Sequence, residues 1–374
     1  MSFDRGWSNA AIAILEAEEK RGVDSHLLRL PMPAFGDVHL YLKDESAQPS
    51  GSLKHRLAHA LILNGLCNGL IGPNTILVDA SSGSTAVSEA YYARLLGLGF
   101  VAVLPRSTTQ RKVDAIVQRG GRCHFVDNPA DVYTAAANIA VETGGHYLDQ
   151  FTFAERAIDW RGKNIAESIF GQMALEPHSV PDWVVMAAGT GGTSATLGRY
   201  IRYRRLRTRL CVPDVEHSAF YDGWINGDGG RTCERPSRIE GVGRPRVEQS
   251  FVPGVIDAML KVPDVVSVAA AHVLSQLLGW RVGASTGTNF LGALWAMHGM
   301  ADARRAGSVV TVICDGGERY AQTYFNEDWL AANDFAIGPW VAAIEAVCNG
   351  GDFGPELLLA QKEATGADTI RMAS

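Results

Sequence analysis

Short apolar runs alternate with longer segments of helical periodicity along most of the chain, and this alternation restricts the fold more than any other feature. The runs are rich in Val, Ile and Phe and mostly apolar throughout, as in strands covered on both faces of a parallel sheet. Strand, helix and strand in succession therefore predict an α/β fold with helices flanking parallel sheets. The predicted strands are 75–79, 100–104, 122–126, 183–188, 209–212 and 309–314.

Helical periodicity fills the intervals between these strands. The stretch 223–253 is instead dense in Gly, Pro and Arg with weak periodicity, which predicts a long functional loop. The tail after about Asn333 carries one apolar helix and then a polar end. The predicted helices are 85–96, 109–119, 130–143, 155–173, 193–207, 269–278 and 286–305, and a further helix begins near Leu53.

Composition narrows the function classes. The 374 residues are enough for about two to three domains. The net charge of −6 argues against a general nucleic-acid or anionic-membrane binder, so the arginine-rich run 199–209 is interpreted as a solvated helix face. None of the six cysteines lies in a C-x-x-C pair, so we expect no metal site and free thiols in the cytoplasm. The sequence shows no apolar run of about 18 residues and no signal peptide, so no membrane span is expected.

A glycine-rich turn follows the apolar run WVVMAA and opens a helical segment. Its backbone N–H groups and hydroxyls would point at one spot on a helix N-terminus, which predicts an anion cradle, most plausibly for phosphate. A tight turn without a ligand is one alternative. A dinucleotide site is another, because Asp214 and Glu216 lie where a ribose-binding acid would fall. The residues of the turn are Gly189, Thr190, Gly191, Gly192 and Thr193.

A second loop of small polar residues follows the apolar run TILVDA and opens another helix. Its hydroxyls and free N–H groups predict a site for a second anion, such as a carboxylate. An N-cap with spare serines is the alternative interpretation. The residues of this loop are Ser81, Ser82, Gly83, Ser84 and Thr85.

The segment QPSGSLKHR predicts a turn and then a helix that Ser52 caps. Lys54 then lies in the first helical turn, where the positive end of the helix dipole disfavours its charge. We expect its pKa to fall, which suits an amine that acts as a nucleophile. A solvated lysine paired with Asp44 or Glu45 is the alternative from this segment alone.

Two further motifs follow at GASTG and CDGG. The first fits the nucleophile elbow of serine hydrolases, in which an acid and then a histidine follow the serine. Here His298 is the only histidine after Ser285, and no Asp or Glu lies between the two. Ser285 is therefore interpreted as a hydrogen-bond partner. Asp315 follows the apolar run of a predicted strand. Open α/β sheets bind ligands beyond the carboxyl ends of their strands, so this position is a candidate ligand contact.

Taken in order, these motifs resemble those of the cysteine synthase / cystathionine β-synthase family of pyridoxal-phosphate enzymes, fold type II, over about residues 25–330. The resemblance implies two α/β domains, each with a mainly parallel twisted sheet, and an active site in the cleft between them. The matching segments are QPSGSLKHR, SSGST, Gln150-Phe151, GTGGT, Gly241-Val242-Gly243, GASTG and GGERY.

The resemblance also implies roles for individual residues. Lys54 binds the cofactor as an imine, Ser84 and Ser285 contact its ring, and the loop 189–193 binds its phosphate. Ser84 stands where the family has an asparagine, so that contact is lost or mediated by water. Arg244 and Arg246 replace small residues, and we expect them to select the substrate. The substrate contacts implied are Ser81, Ser82, Gly83, Thr85, Gln150, Gly241 and Arg244.

The implied reaction is β-elimination on a small amino acid. The form SSGSTAVSEAYYARLLG favours desulfhydrase-like members, which convert L-cysteine to sulfide, pyruvate and ammonia. Cysteine synthase-type β-replacement is the alternative, and an NAD-binding dehydrogenase is a remote one.

The expected domains are a small domain, 47–157, and a large domain, 158–335, on which the N-terminal segment 1–46 packs. The remainder, 336–374, is expected to form a C-terminal extension. A homodimer is implied by the resemblance alone.

Overall fold

A computed structural model describes residues 4–22, 24–81 and 83–364. The chain divides into a smaller unit, Met1–Asp24 with Gln48–Ile158, and a larger unit, Ser25–Ala47 with Asp159–Ser374. Each unit contains a sheet of mainly parallel strands with helices packed on it. This arrangement confirms the predicted α/β fold class.

The strands are β1 (Leu27–Leu30), β2 (Val38–Asp44), β3 (Leu77–Ala80), β4 (Phe100–Pro105), β5 (Arg122–Val126), β6 (His146–Tyr147), β7 (Trp183–Val185), β8 (Arg209–Val215), β9 (Ala258–Val262), β10 (Gly307–Ile313) and β11 (Ala360–Glu363). The helices are α1 (Arg5–Arg21), α2 (Lys54–Cys67), α3 (Ser84–Leu95), α4 (Gln110–Gln118), α5 (Val132–Thr143), α6 (Gln150–Ala157), α7 (Ile165–Met173), α8 (Gly192–Tyr203), α9 (Phe220–Asn226), α10 (Asp264–Leu278), α11 (Ala284–Asp302), α12 (Glu327–Ala332) and α13 (Gly338–Cys348).

The smaller unit holds a four-stranded parallel sheet in the order β5-β4-β3-β6. Its core joins side chains of α2 and α3 to the central strands, with Leu61, Leu77 and Phe100 among the buried residues. The prediction that 122–126 is covered on both faces is wrong, because β5 is an edge strand. Phe125, the fourth of its five residues, is 36% exposed.

The N-terminal segment 1–46 differs from its predicted place on the large domain. Its first part is helical and belongs to the smaller unit, because Ala11 and Leu15 on α1 are buried against Leu57 and Leu61 of α2. Asp4 caps this helix by accepting a hydrogen bond from the Trp7 N–H. Only the later part, which carries β1 and β2, lies in the larger unit.

The larger unit holds a seven-stranded sheet in the order β1-β2-β10-β7-β8-β9-β11. The five central strands are parallel, while β1 and β11 pair antiparallel at the two edges. Helices α10 and α11 pack on this sheet through Val266, Phe290 and Leu294, among other fully buried residues. None of the helices in the described part of the chain is long and apolar enough to cross a membrane.

The predicted helix 155–173 is wrong as a single element. Two helices, α6 and α7, occupy that region, because Asn164 starts a new helix by accepting hydrogen bonds from the N–H groups of Ala166 and Glu167 at 2.8 and 3.1 Å. The predicted loop 223–253 begins inside α9 and then runs to residue 252, with an isolated bridge between Thr232 and Arg246.

The described part of the C-terminal segment, residues 336–364, is an integral part of the larger unit. Ile344 and Val347 of α13 are buried in the main core, and β11 extends the sheet beside β9. The apolar helix was predicted, whereas the polar stretch Gln361–Glu363 was expected to be a tail and instead forms most of an edge strand.

Candidate active site

Lys54 is the first residue of α2, within the first helical turn as predicted. The prediction that Ser52 caps this helix is wrong, because the N-cap residue is Leu53 and no side chain caps the helix. The turn before Lys54 is nevertheless held in place by side chains. The backbone N–H of Lys54 donates to Ser52 Oγ at 3.3 Å. The buried Ser50 Oγ lies 2.8 Å from Ser88 Oγ on α3 and 3.1 Å from His55 Nδ1. These contacts fix the backbone at Lys54 against the helix that follows the second loop.

The second loop leads into α3, whose first residues are Ser84 and Thr85. The Gly83 N–H donates to Ser81 Oγ at 3.4 Å, which curls the loop toward the start of the helix. The first N–H groups of an α-helix have no partner within the helix and attract anions. Ser82 was predicted as a further contact and lies outside the described residues.

The structure brings Gln150 to this loop, as the predicted site requires. Thr85 Oγ1 donates to Gln150 Oε1 at 2.8 Å, and both side chains are buried. Gln150 lies in the first turn of α6, which Asp149 caps by accepting from the Thr152 N–H. The hydroxyl of Thr85 therefore has a fixed direction.

Two buried acids beneath the loop were missed by the sequence analysis. Gln150 Nε2 donates to Asp79 Oδ2 at 2.8 Å, and Glu89 lies close enough to Asp79 for each acid to affect the pKa of the other. Both acids are fully buried. Burial, reinforced by the Asp149 charge, raises the pKa of Asp79 to about 7, and burial beside Asp79 raises the pKa of Glu89 well above its usual value. Two features of the sequence could have indicated these buried acids. Asp79 lies within the apolar run TILVDA, and Glu89 lies on the face of α3 that carries small residues.

In the larger unit, the glycine-rich turn joins β7 to the start of α8. Gly191 has φ +93°, and a Cβ there would lie 2.6 Å from Phe251 Cα and Ser250 O, so only glycine fits. Thr190 Oγ1 accepts from the Gly192 N–H at 3.3 Å. The turn thus lies at the N-terminus of a 12-residue helix, as predicted, with Thr193 in the first helical turn. This arrangement suits a phosphate group.

Asn289 connects this cradle to the helix that carries Ser285. Its Oδ1 accepts from the Ala187 N–H at 2.7 Å, and its Nδ2 donates to Val312 O at 2.9 Å. Ser285 is buried in the first turn of α11, one helical turn before Asn289. Sequence reasoning missed Asn289, although a lone asparagine in an apolar helix is a signal for a buried polar contact.

The loop Gly241-Val242-Gly243 lies beside the cradle. The Gly243 N–H donates to Ala188 O at 2.9 Å, immediately before Gly189. Gly243 has φ +73°, and a Cβ there would lie 2.4 Å from Val215 Cγ2. The structure therefore brings this predicted loop and the predicted phosphate loop together within the larger unit.

Arg244 and Arg246 share a buried acid that was not predicted. Arg244 Nε lies 3.1 Å from Glu248 Oε1, and Arg246 Nε lies 3.0 Å from Glu248 Oε2. The Glu248 side chain is 2% exposed, whereas those of Arg244 and Arg246 are 27% and 51% exposed. Glu248 thus orients both guanidinium groups, and Arg244 is the more enclosed of the two.

The acids of the dinucleotide interpretation have other partners. Asp214 is buried, and its Oδ2 accepts from the Tyr221 N–H at 2.8 Å. Burial raises the pKa of Asp214 to about 6. Glu216 Oε2 accepts from the Asp264 N–H at 3.4 Å. These contacts favour the phosphate interpretation of the glycine-rich turn over a ribose site.

Comparisons with known proteins agree with this geometry. Residues 23–315 match the family model described as pyridoxal-phosphate dependent enzyme. The chain is 56% identical over 350 residues to the L-cysteine desulfhydrase Cds1 of Mycobacterium tuberculosis, covering 92% of this chain and 95% of that protein. It is 26% identical over 315 residues to a cysteine synthase of Dictyostelium discoideum, with 80% of each chain covered.

Two solved structures are similar in fold. A hydrogen sulfide-producing enzyme from Fusobacterium nucleatum matches with a TM-score of 0.74 at 21% identity, covering 86% of this chain and 96% of that one. O-ureido-L-serine synthase matches with a TM-score of 0.72 at 24% identity, covering 85% and 98%.

Proposed function

This chain belongs to the family of pyridoxal-phosphate dependent enzymes, and from that premise we propose that it is an L-cysteine desulfhydrase. The reaction converts L-cysteine and water to sulfide, pyruvate and ammonia. The observation that carries the proposal is the 56% identity to an L-cysteine desulfhydrase over nearly the full length of both chains.

The residues on the larger unit fit the cofactor's phosphate and ring. The Gly189–Thr193 cradle would hold the phosphate with backbone N–H groups, and Ser285 would offer a neutral hydroxyl to the pyridine nitrogen. When bound, pyridoxal phosphate supplies an electron sink that acidifies the Cα proton and allows a β-substituent to leave. A hydroxyl at the ring nitrogen stabilises a positive charge there less than a carboxylate would.

The residues on the smaller unit would handle the substrate. Lys54 Nζ would hold the cofactor and would accept the Cα proton of the substrate. The Ser81–Thr85 loop binds the substrate carboxylate at the start of α3. Gln150 fixes the Thr85 hydroxyl, so this group is oriented before the substrate arrives.

Product analysis tests the proposal and separates it from β-replacement. Purified, cofactor-loaded protein is given L-cysteine alone, and sulfide and pyruvate are measured. Equal amounts of both support elimination. Formation of a new amino acid from O-acetyl-L-serine and sulfide, without pyruvate from cysteine, would instead favour the synthase-type reaction suggested by the 26% relative.

The matched variants are Lys54→Ala and Lys20→Ala. Both remove one lysine at or near a helix end in the smaller unit, but Lys20 is exposed in the last turn of α1. We expect Lys54→Ala to abolish product formation and Lys20→Ala to retain it. Normal turnover by Lys54→Ala would refute the assignment.

We also infer a cytoplasmic homodimer. The six cysteines are free thiols, which suits a reducing compartment, and the dimer follows from the family resemblance. Light scattering on the purified holoenzyme tests the dimer, since a monomeric mass would contradict it. Cell fractionation tests the location.

A further inference from the structure

Two histidines and an aspartate come together at one edge of the seven-stranded sheet in the larger unit. Asp37 directly precedes β2, His39 is the second residue of that strand, and His178 lies between α7 and β7. Asp37 Oδ1 is 3.2 Å from His39 Nε2 and 3.3 Å from His178 Nε2. One carboxylate oxygen therefore faces two imidazole nitrogens. We call these three residues the His–Asp cluster.

The backbone around the His–Asp cluster holds its members in place. The Gly307 N–H donates to Asp37 O at 3.1 Å, and His39 pairs with Ser308 where β2 and β10 run side by side. Ser308 Oγ donates to the His178 carbonyl at 2.8 Å. The two imidazole rings pack on each other with their centroids 4.7 Å apart. The cluster is thus positioned by a strand pair as well as by its own side chains.

The distances within the His–Asp cluster match those between ligands of one zinc ion. Zn²⁺ binds imidazole nitrogen and carboxylate oxygen at about 2.0–2.1 Å with tetrahedral angles, so two of its ligand atoms lie about 3.3–3.4 Å apart. The contacts of 3.2 and 3.3 Å from Asp37 are close to this separation. An octahedral ion with bonds of the same length would bring neighbouring ligands to about 2.9 Å.

The direction of the His178 ring also fits a metal ligand. Within the described part of the chain, His178 Nε2 is buried and has no hydrogen-bond partner, although Asp37 Oδ1 is 3.3 Å away. The carboxylate oxygen therefore lies away from the axis on which this nitrogen donates or accepts a hydrogen bond. Two ligands of a tetrahedral ion have this relation, because the metal and not the neighbouring ligand lies on that axis.

His39 offers a lone pair on the nitrogen that faces Asp37. Arg29 Nη2 on β1 lies 3.2 Å from His39 Nε2. A guanidinium group only donates hydrogen bonds, so this nitrogen accepts and is unprotonated, as a metal ligand must be. Burial, followed by the charges of Arg29 and His178, lowers the pKa of His39 and favours the neutral ring. Arg29 is an exposed residue whose guanidinium can move aside for a cation.

We propose that Asp37, His39 and His178 bind a zinc ion, with water as the fourth ligand. The expectation that the chain has no metal site was based on cysteine spacing, and no cysteine belongs to this cluster. The Asp37 side chain is 66% exposed, which leaves a path for the ion and its water.

The position of the site indicates a structural role for the ion. The cluster lies where β2 and β10 begin, whereas the proposed phosphate cradle follows the end of β7. Because these three strands are parallel, the cluster and the cradle lie at opposite edges of the sheet. The zinc ion therefore takes no part in the proposed reaction and instead clamps the segment before β7 to the start of β2.

Competition with a chromophoric zinc chelator on the purified holoenzyme tests the proposal. Wild type is compared with His178→Ala and Asp37→Asn, all of which keep the six free cysteines as a common background. Asp37 is exposed, so its isosteric amide variant should fold normally. We expect each change to weaken one zinc site per chain by at least about tenfold, since even outer-shell partners change metal affinity that much. Equal zinc binding by all three proteins would overturn the proposal.

His298→Ala is the matched control. His298 Nδ1 lies 3.1 Å from Asp302 Oδ2, and its side chain is 21% exposed against 22% for His178. This variant also removes an imidazole paired with an acid, and it should bind zinc as the wild type does. A loss of zinc binding equal to that of His178→Ala would contradict a specific site at the cluster.

Arg29→Ala tests the site in the opposite direction. The change removes a positive charge that lies against a proposed ligand, so we expect zinc to bind several-fold more tightly than in the wild type. Unchanged or weaker binding would contradict the placement of the ion.

Thermal unfolding gives a second measurement. Zinc should raise the unfolding midpoint of the wild type and of His298→Ala, but not that of His178→Ala, because a ligand that binds the folded state stabilises it. A rise of the same size in all three proteins would overturn the proposal. Neither measurement depends on cysteine turnover, so the zinc site and the proposed function are tested separately.

Discussion

Asn289 Oδ1 accepts a hydrogen bond from the Ala187 N–H at 2.7 Å, and this one contact joins the segment that leads into the proposed phosphate cradle to the helix that carries Ser285. The same side chain donates to Val312 O at 2.9 Å on the neighbouring strand β10. Both partners are buried backbone groups. A single amide therefore sets the spacing of the two parts of the proposed cofactor site in this unit.

Asn289→Ala should weaken cofactor binding as well as stability. The change leaves a buried N–H and a buried carbonyl without their partner, and each such group costs about 1–3 kcal/mol. We expect a lower unfolding midpoint and faster loss of pyridoxal phosphate on dialysis. Asn349→Ala is the control, because Asn349 donates to a backbone carbonyl at an exposed helix end. Equal cofactor retention by both variants would contradict the assigned role.

Gly191→Ala should disrupt the cradle itself. Its φ of +93° is strained for alanine, and the added Cβ would lie 2.6 Å from backbone atoms of Ser250 and Phe251, which cannot move away like a flexible side chain. We expect loss of the bound-cofactor absorbance. Gly299→Ala in α11 is the control, since nothing lies within 4 Å of its Cβ position and it should bind the cofactor normally. A Gly191→Ala protein that retains the cofactor would show that the cradle tolerates a shift.

The cradle and the fold class were predictable because both depend on local sequence. A buried strand, a glycine turn and a helix start are contiguous along the chain, so the turn at Gly191 and the helix start before Thr193 could be inferred from local sequence. The predicted strand 122–126 matches β5 to the residue, and the other predicted strands overlap observed ones with shifted ends. The spacing of residues did not reveal how exposed each strand is to solvent, because an edge strand such as β5 differs from a central strand only in the elements that lie beside it.

The contacts that support the site were not predictable, because they join residues far apart in the sequence. Asn289 bonds to Ala187 across 102 positions, and Gln150 bonds to Asp79 across 71. The N-terminal helix was missed because its short apolar stripe is buried only when α2 packs on it. Tertiary contacts of this kind leave no regular period in a single sequence.

Arg244 and Arg246 allow a matched test of substrate selection. Arg244 is the more enclosed, and its backbone N–H is also held by Ser218 Oγ at 3.2 Å. We expect Arg244→Ala to change the ratio of kcat/KM for L-cysteine to that for O-acetyl-L-serine by about tenfold. Arg246→Ala removes a more exposed partner of the same Glu248 and should change that ratio little. Equal ratios in both variants and the wild type would exclude Arg244 as a selecting residue.

The stability of the protein should depend on pH through Asp79 and Glu89, with a sign opposite to that of surface ion pairs. Both acids have a raised pKa in the folded state, about 7 for Asp79 against 3.8 for the free side chain. Between about pH 4 and 7 these two acids therefore bind more protons in the folded protein than in the unfolded chain. Their contribution to the free energy of unfolding falls as pH rises, by about 1.4 kcal/mol per pH unit for each extra proton bound.

Urea unfolding of the wild type and of Asp79→Asn/Glu89→Gln between pH 4.5 and 8 measures this effect. The amide variant has no carboxyl groups that titrate at positions 79 and 89. Its urea midpoint should therefore rise relative to that of the wild type as the pH increases. The part of this change due to Asp79 should level off above about pH 7. Asp159→Asn is the control, because hydrogen bonds from Arg161 lower the pKa of that exposed acid. The small stabilisation by ionised Asp159 is present at neutral pH and lost on acidification. The difference in urea midpoint between the wild type and Asp159→Asn should therefore change with pH in the opposite direction. A wild-type protein that gains stability over the amide variant on going from pH 5 to 7 would mean that the buried pair is ionised in the folded state.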